Sequence, residues 1–333
     1  MRMSLIETTL KALINRGRTT CMEGAPGCGK TTIIGAVTRR LGLHYIERHL
    51  PTMPVEDFGI PDVMSDGPSF GYKMPEWYPY KGHPVYDDGR GGVLCFDDRN
   101  QAGNDLQKVL ANLCQARNLH GVPLADGWTI VSTGNRQEDR AGANRVLSHL
   151  RDRETVITLE PHLDDWCSYA LEHGVNPMVV TYLRWRPGNL HNMDPANDIG
   201  ASPRSWTEGV SPNIGLVPAE AEMEVFAGDV GEGIAAEFVG FMRIYRNLPN
   251  IDNVLLNPDT ATVPEDVQTK YALAGAIAER ATNANFDRVC RYADRMGDDF
   301  SVLAVSYAAR KNAEVMDTKA FTQWSLDHQN VLF

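Results

Sequence analysis

Gly24-Ala25-Pro26-Gly27-Cys28-Gly29-Lys30-Thr31 is the stretch that decides the fold of this 333-residue chain. It fits the pattern G-x-x-x-x-G-K-S/T at every constrained position. Its glycines allow successive backbone N–H groups to turn towards phosphate oxygens. A strand is predicted from Thr19 to Glu23 and a helix from about Lys30 to Leu41. The loop would therefore open onto the positive end of a helix.

This motif, the P-loop or Walker A motif, predicts a nucleoside-triphosphate site. Lys30 would contact the β- and γ-phosphates, and the Thr31 hydroxyl would bind Mg²⁺. The motif indicates that the chain binds ATP or GTP, with ATP the expected cofactor together with Mg²⁺. The predicted nucleotide-binding residues are Gly24, Ala25, Pro26, Gly27, Cys28, Gly29, Lys30, Thr31 and Thr32.

Two further strand ends carry polar groups. The apolar strand predicted over Val93–Asp97 ends in two carboxylates, the Walker B arrangement, in which Asp97 would hold Mg²⁺ through its waters. Asp98 would then activate the attacking water. The strand predicted over Trp128–Thr133 leads to Asn135, whose amide would orient water against the γ-phosphate. The alternative for Asn135 is that it only begins a turn.

The order of segments predicts the fold class. Strand-like and helix-like segments alternate in the first half, which is typical of a parallel sheet covered by helices. We predict an α/β P-loop core with a five-stranded parallel sheet over residues 1–160, followed by a helical lid over 161–250 and a helical C-terminal extension over 251–333. Residues 51–86 form a Pro- and aromatic-rich insertion, whose aromatic side chains either pack internally or form a docking surface.

Three polar residues are predicted to begin helices. Ser4 and Thr262 each precede a glutamate by three positions, the spacing of a capping box. Ser202 is followed by Pro203, a favoured first helical residue. Arg204 would lie in the first turn of that helix, where its planar guanidinium suits a phosphate. A surface arginine without a ligand is the alternative.

Composition narrows the class of protein. Apolar residues make up 43% and charged residues 23%, as in ordinary globular proteins. The net charge of −11 resides entirely in residues 161–333, which disfavours a nucleic-acid partner because such proteins need basic surface. The six cysteines show no metal-ligand spacing. We expect no signal peptide, because Glu7 and Lys11 interrupt the first apolar positions, and no membrane span, because no apolar stretch is long enough. We therefore expect buried free thiols and a cytoplasmic protein.

The ordered set of motifs resembles that of the MoxR-like AAA+ ATPases, and the resemblance covers nearly the whole chain. It is carried by Gly24–Thr31, Gly59–Trp77, Val93–Asp98, Val131–Asn135, the arginines Arg140, Arg145, Arg151 and Arg153, Leu159–Trp166 and Ser202–Trp206. The resemblance implies a Mg²⁺-dependent ATP hydrolase that forms a homo-oligomeric ring, commonly a hexamer. It also implies chaperone-like remodelling or activation of a client protein, such as a von Willebrand factor A-domain protein or a metalloenzyme.

The resemblance also implies residue roles. Asn135 corresponds to sensor 1, Arg204 to the sensor 2 arginine, and Arg153 to the arginine finger, with Arg140 and Arg145 as alternatives. The chain departs from the family pattern at two positions. Asp98 stands where the family has Glu, and Glu154 follows Arg153 where the family has Phe.

Three other functions stay open at this point. A small-molecule P-loop kinase would account for the Walker A motif but leaves Asn135, Arg153 and Arg204 without roles. A nucleotide-switched binding module that barely hydrolyses ATP is suggested by the short side chain of Asp98. A DNA-translocating ring is disfavoured by the acidic balance.

Overall fold

A computed structural model describes residues 1–63, 70–136, 146–193 and 199–328. The chain divides into two compact units, Met1–His162 and Leu163–Phe333. The predicted boundaries of the domain ranges 1–160, 161–250 and 251–333 stay predictions. Among the described residues, no helix is both long enough and apolar enough to cross a membrane.

The first unit is built on a parallel sheet. Its elements in chain order are α1 (Met3–Asn15), β1 (Thr20–Gly24), α2 (Lys30–Arg40), β2 (His44–His49), β3 (Ile60–Val63), β4 (Phe70–Lys73), β5 (Gly92–Asp97), α3 (Asn104–Ala116), β6 (Asn118–Leu119), β7 (Val122–Pro123), β8 (Trp128–Gly134), α4 (Ser148–Arg151) and β9 (Thr155–Leu159). Five of these strands form one sheet in the order β2-β5-β8-β1-β9, and all its pairs are parallel. The two short hairpins, β3–β4 and β6–β7, lie outside this sheet.

Helices cover both faces of the sheet. Met22 and Val131 pack with α1 and α2 in one apolar cluster, whereas Leu94 and Ile130 pack with α3 in another. The strands β5 and β8 are buried along almost their whole length, which explains the continuous apolar run Val93–Phe96 in β5. The predicted α/β core with a five-stranded parallel sheet is confirmed.

The second unit is helical. Its elements are α5 (Leu163–Glu172), α6 (Pro177–Trp185), a π-helix (Ser205–Val210), α7 (Ser211–Asn213), α8 (Glu222–Val230), α9 (Glu232–Arg246), α10 (Ile251–Leu256), α11 (Val267–Glu279), α12 (Phe286–Met296), α13 (Asp298–Lys311) and α14 (Lys319–Asp327). One apolar core runs from Trp166 to Trp324, with Trp206, Tyr182 and Phe238 fully buried within it. The predicted helical second half is confirmed.

Two of the predicted helix starts are wrong. α1 begins at Met3, so Ser4 lies inside the helix and Arg2 is its N-cap residue. α11 begins at Val267 because Asp266, nearer to the helix than Thr262, accepts a hydrogen bond from the Thr269 N–H at 2.9 Å.

The third helix start and the expected thiols agree with the structure. The Ser205 N–H donates to Ser202 Oγ at 3.1 Å, which is the expected cap at the start of that helix. All six cysteines are free and buried. Burial raises the pKa of Cys21 and of Cys290 to about 12, so both stay protonated at neutral pH.

The insertion over residues 51–86 is partly a core element. Trp77 is 9% exposed and packs edge-on against Phe58 and Phe96, with ring centroids 5.6 and 6.1 Å away. The Arg48 guanidinium lies 5.5 Å from the centre of the Trp77 ring. These contacts favour the packing alternative for Trp77, because a buried indole offers little surface to a partner.

Trp77→Ala is therefore expected to destabilise the protein by about 3–5 kcal/mol, the cost of deleting a buried aromatic side chain. Urea denaturation measures the change in the free energy of unfolding. Val85→Ala, at an exposed position of the same insertion, is the control and should change it by less than about 0.5 kcal/mol. Equal stability of the Trp77→Ala and parent proteins would contradict the packing interpretation.

Candidate functional site

The loop after β1 has the backbone that its glycines predict. Gly27 and Gly29 have positive φ angles of 71° and 88°, which glycine adopts without a Cβ clash. A Cβ on Gly24 would lie 2.8 Å from the Leu159 carbonyl oxygen, so the loop begins in close contact with β9. α2 starts at Lys30 directly after this loop. The loop thus places the N-terminal N–H groups of an 11-residue helix at the edge of the sheet.

Lys30 links the loop to the end of β8. Its side-chain Nζ donates to the carbonyl oxygens of Gly24 and Ala25, both at 3.0 Å, and to Asn135 Oδ1 at 2.8 Å. The residue is 7% exposed. The structure therefore brings together Lys30 and Asn135, which stand 105 positions apart in the sequence.

Thr31 and Asp97, the predicted Mg²⁺ ligands, are in direct contact. Thr31 Oγ1 donates to Asp97 Oδ1 at 2.8 Å, and Thr133 Oγ1 donates to the same oxygen at 2.5 Å. A hydroxyl and a carboxylate at the edge of a sheet are the oxygen donors that Mg²⁺ prefers. Thr133 was not predicted as a site residue. Its position in the same strand end, two residues before Asn135, was a signal that could have identified it.

His49 also lies at this edge. The register of β2 and β5 pairs His49 with Asp97, and His49 Nδ1 lies 3.7 Å from Asp97 Oδ2. Ligand atoms of His49, Asp97 and Asp98 all lie within 4.8 Å of one another. His49 was not among the predicted site residues, because its place beside Asp97 depends on the pairing of β2 with β5.

Asp98 adopts a left-handed backbone conformation with φ of 53°, which aspartate tolerates better than most residues do. Its N–H donates to Thr133 Oγ1 at 2.9 Å. Asn135 Nδ2 donates to Asp98 Oδ1 at 3.5 Å and Gln101 Nε2 donates to Asp98 Oδ2 at 3.4 Å. The predicted water-activating carboxylate thus lies beside the predicted sensor amide.

Asn100 fixes the backbone of Asn135 and was missed by sequence reasoning. Its Nδ2 donates to the Asn135 carbonyl oxygen at 2.6 Å, and the Asn135 N–H donates to Asn100 Oδ1 at 3.1 Å. A Cβ on Gly134 would lie 3.1 Å from Asn100 Oδ1, so glycine allows this close approach. Both asparagines are buried.

The arginines that are candidates for the arginine finger differ in their contacts and exposure. Arg153 Nη1 donates to the Ala111 carbonyl oxygen at 2.8 Å, within its own subunit. Arg151 is largely exposed. Arg140 and Arg145 lie outside the described residues. The finger assignment therefore stays a prediction.

Arg204 lies in the second unit, two residues after the capping Ser202. Its side chain is 67% exposed, with Nε 4.0 Å from Glu208 Oε2 one turn further along. Such an exposed pair contributes little to stability. Its guanidinium is thus accessible, and its role as sensor 2 stays a prediction.

Comparison with known proteins gives similarity of structure alone. No protein-family model and no curated protein matches the sequence. The crystal structure of NtrX from Brucella abortus is similar to this chain with a TM-score of 0.41 at 13% identity, covering 92% of this chain and 67% of that chain. Its ADP and ATP complexes both give TM-scores of 0.39, at 12% and 10% identity, covering 99% of this chain and 68% of those chains. These values assign neither a family nor an activity.

Asn100→Ala would leave the buried N–H and C=O groups of Asn135 without their partner. We expect the free energy of unfolding to fall by about 2–4 kcal/mol, since each unpaired buried polar group costs about 1–3 kcal/mol. Urea denaturation measures this change. Asn247→Ala, which removes an exposed side chain from the end of α9, is the matched control. A loss no larger than that of the control would show that the Asn100 contacts contribute nothing to folding.

Proposed function

We propose that this protein binds ATP with Mg²⁺ and hydrolyses it. The observation that carries this proposal is the convergence of Lys30, Thr31, Asp97, Asp98 and Asn135 at one edge of the sheet. Thr133 joins their hydrogen bonds into one continuous chain. These residues come from the start of α2 and from the carboxyl ends of β5 and β8. A chance glycine-rich turn would not bring a lysine, two carboxylates and an amide together.

Each group has a chemical role in this proposal. The loop N–H groups and the start of α2 bind phosphate oxygens, and the Lys30 ammonium neutralises charge on the β- and γ-phosphates. Thr31 and Asp97 hold Mg²⁺, directly or through water. Mg²⁺ supplies charge neutralisation of the transferred phosphoryl group when bound. Asp98 accepts a proton from the water that attacks the γ-phosphorus, while the Asn135 amide orients that water.

We further propose that the chain is an AAA+ ATPase of the MoxR type, a ring-forming subunit that remodels or activates a client protein. The ordered motif set supports this assignment. When the five strands of the sheet are numbered along the chain, their order in the sheet is 2-3-4-1-5. This order is compatible with the assignment. The accessible Arg204 in a separate helical unit also fits a second phosphate-sensing residue.

The proposed activity is tested by measuring phosphate release from MgATP. Lys30→Ala should abolish ATP binding, whereas Asp98→Asn should retain binding and lower turnover by about 10²-fold or more, the scale of a general base. Asp105→Asn, which changes an exposed carboxylate on α3, is the control and should turn over at the parental rate. Parental turnover by Asp98→Asn would refute the role of Asp98. Phosphate transfer to an added nucleoside or sugar by the parent would instead favour the kinase.

The proposed ring is tested by sharing of the active site between subunits. Charge that builds on the γ-phosphate is stabilised by an arginine finger, typically by 10³–10⁵ in rate. Arg153→Ala should bind ATP and assemble but hydrolyse poorly. Mixing it with Asp98→Asn subunits should restore turnover, because some interfaces then pair an intact Asp98 with an intact Arg153.

The control for this mixing experiment is Arg40→Ala, at an exposed position of α2, which should keep parental turnover on its own. Co-assembly without recovery at any mixing ratio would remove Arg153 from the role. Recovery with Arg145→Ala in its place would transfer the role to Arg145.

A further inference from the structure

A buried ionic cluster lies directly behind the candidate site. The side chain of Arg99 is 0% exposed and reaches two carboxylates, with Nη2 3.1 Å from Glu23 Oε1 and Nε 3.2 Å from Glu154 Oε2. Arg99 Nε also donates to Cys21 Sγ at 2.8 Å. Ser132 Oγ donates to Glu154 Oε1 at 2.6 Å. The side chain of Arg99, which follows β5, thus contacts two residues of β1 and the residue that precedes β9.

Two charged members of this cluster are covalent neighbours of residues in the site. Arg99 follows Asp98, and Glu23 precedes Gly24. The cluster lies on the face of the sheet that α3 covers, because Cys21, Glu23 and Ser132 alternate with residues that face α2. A shift in the cluster is therefore transmitted to the site through a single peptide unit.

Asp98 depends most on this arrangement. Its left-handed φ of 53° is less favourable than the usual negative φ, and such residues persist only where neighbouring contacts hold them. On one side Asp97 is held by Thr31 and Thr133. On the other side the Arg99 N–H donates to the Thr133 carbonyl oxygen at 2.9 Å, and its side chain is anchored in the cluster.

Burial of these charges is unfavourable for the stability of the protein. Taking charges out of water costs several kcal/mol per ion, and a well-packed apolar replacement of a buried pair is often neutral or stabilising. Burial raises the pKa of the Glu154 carboxyl, while the Arg99 guanidinium and the Ser132 hydroxyl oppose that rise. Arg99 Nη1 is buried without a hydrogen-bond partner in the described part of the chain. Because the buried charges are unfavourable for folding, we infer that the cluster has a role other than stabilising the protein.

We propose that Arg99 and Glu154 are positioning residues that hold Asp98 in its left-handed conformation, with its carboxylate beside the Asn135 amide. This inference rests on the proposed ATP hydrolysis. It also accounts for Glu154, which stands where the MoxR pattern has Phe: its carboxylate is the counter-ion that a buried Arg99 requires. Without the anchor, the backbone at Asp98 relaxes towards negative φ and its carboxylate moves away from the water it activates.

The test removes the two fully buried charges together, because removing one partner of a buried pair leaves the other charge uncompensated and can prevent folding. Glu23, whose side chain is 14% exposed, is left in place. In Arg99→Met/Glu154→Gln, kcat should fall about 10–100-fold, the effect of a misplacement of about 1 Å. KM for ATP should change less than about threefold, since Lys30 and the loop are untouched. Arg99→Lys keeps the charge but loses the planar fork, so it should show a smaller loss of kcat.

The control is Glu222→Gln/Arg246→Met, which neutralises an ion pair in the helical unit between the buried Glu222 and the partly exposed Arg246, with Nη1 and Oε2 2.9 Å apart. It should keep the parental kcat. An equal loss of kcat in this control would assign the effect to general destabilisation and overturn the proposal. Parental kcat in both Arg99→Lys and Arg99→Met/Glu154→Gln would also overturn it, while the parent's own turnover still supports ATP hydrolysis.

A further variant separates positioning from a structural role. If the pair acts through Asp98, adding Asp98→Asn to Arg99→Met/Glu154→Gln should lower kcat little below that of Asp98→Asn alone. Multiplicative losses would show that the pair acts independently of Asp98 and would overturn the proposal. No turnover by the parent protein would remove the proposed function itself, a result distinct from either outcome.

Discussion

The parallel pairing of β5, β8 and β1 is the constraint on which the site depends. Parallel strands send their carboxyl ends to one edge of a sheet, and the polar residues that follow each strand therefore meet there. In this chain that edge holds Asp97 from β5, Asn135 after β8 and the glycine-rich loop after β1. The strand order β5-β8-β1 sets β8 between the other two, so Asn135 can contact both Lys30 and Asp98.

Burial at this edge makes the polar contacts obligatory. Lys30, Asn100 and Asn135 have little access to water, so each donor and acceptor needs a protein partner or a ligand. The loop carbonyls and the Asn135 amide satisfy Lys30, and Asn100 satisfies the backbone of Asn135. The site is therefore held rigidly by the same hydrogen bonds that folding requires. A triphosphate that binds here would meet charges already arranged around it.

The turn after β5 connects the two faces of the sheet. Asp97 faces α2, where Thr31 contacts it, and Arg99 enters the opposite face, where Glu154 and Glu23 surround it. Asp98 lies between them with a positive φ. The chemistry at the edge and the buried charges behind it are thus consecutive residues of one turn. Asp98 and Glu154, at which the sequence departs from the MoxR-like pattern that it resembles, both belong to this arrangement.

Local sequence patterns predicted much of this molecule correctly. Residue spacing and hydrophobic periodicity predicted the P-loop motif, the buried apolar strands and the helical second half. Both signals depend only on residues that are close together in the sequence. The cap at Ser202 follows in the same way. The helix starts at Ser4 and Thr262 failed because a nearby residue supplied the actual N-cap position. Propensity alone does not choose between such neighbours.

Only the tertiary structure decided which distant residues meet. Strand order and register bring Thr133 into contact with Asp97, place His49 beside Asp97 and pair Arg99 with Glu154. No local sequence pattern encodes strand order or register. The burial of Trp77 likewise depends on Phe58 and Phe96, one of which lies in the central sheet. The sequence by itself determined which chemical groups stand at the strand ends, because motif and strand are local. Their partners were decided by the fold, because side chains from separate strands come within hydrogen-bond distance only after the sheet has formed.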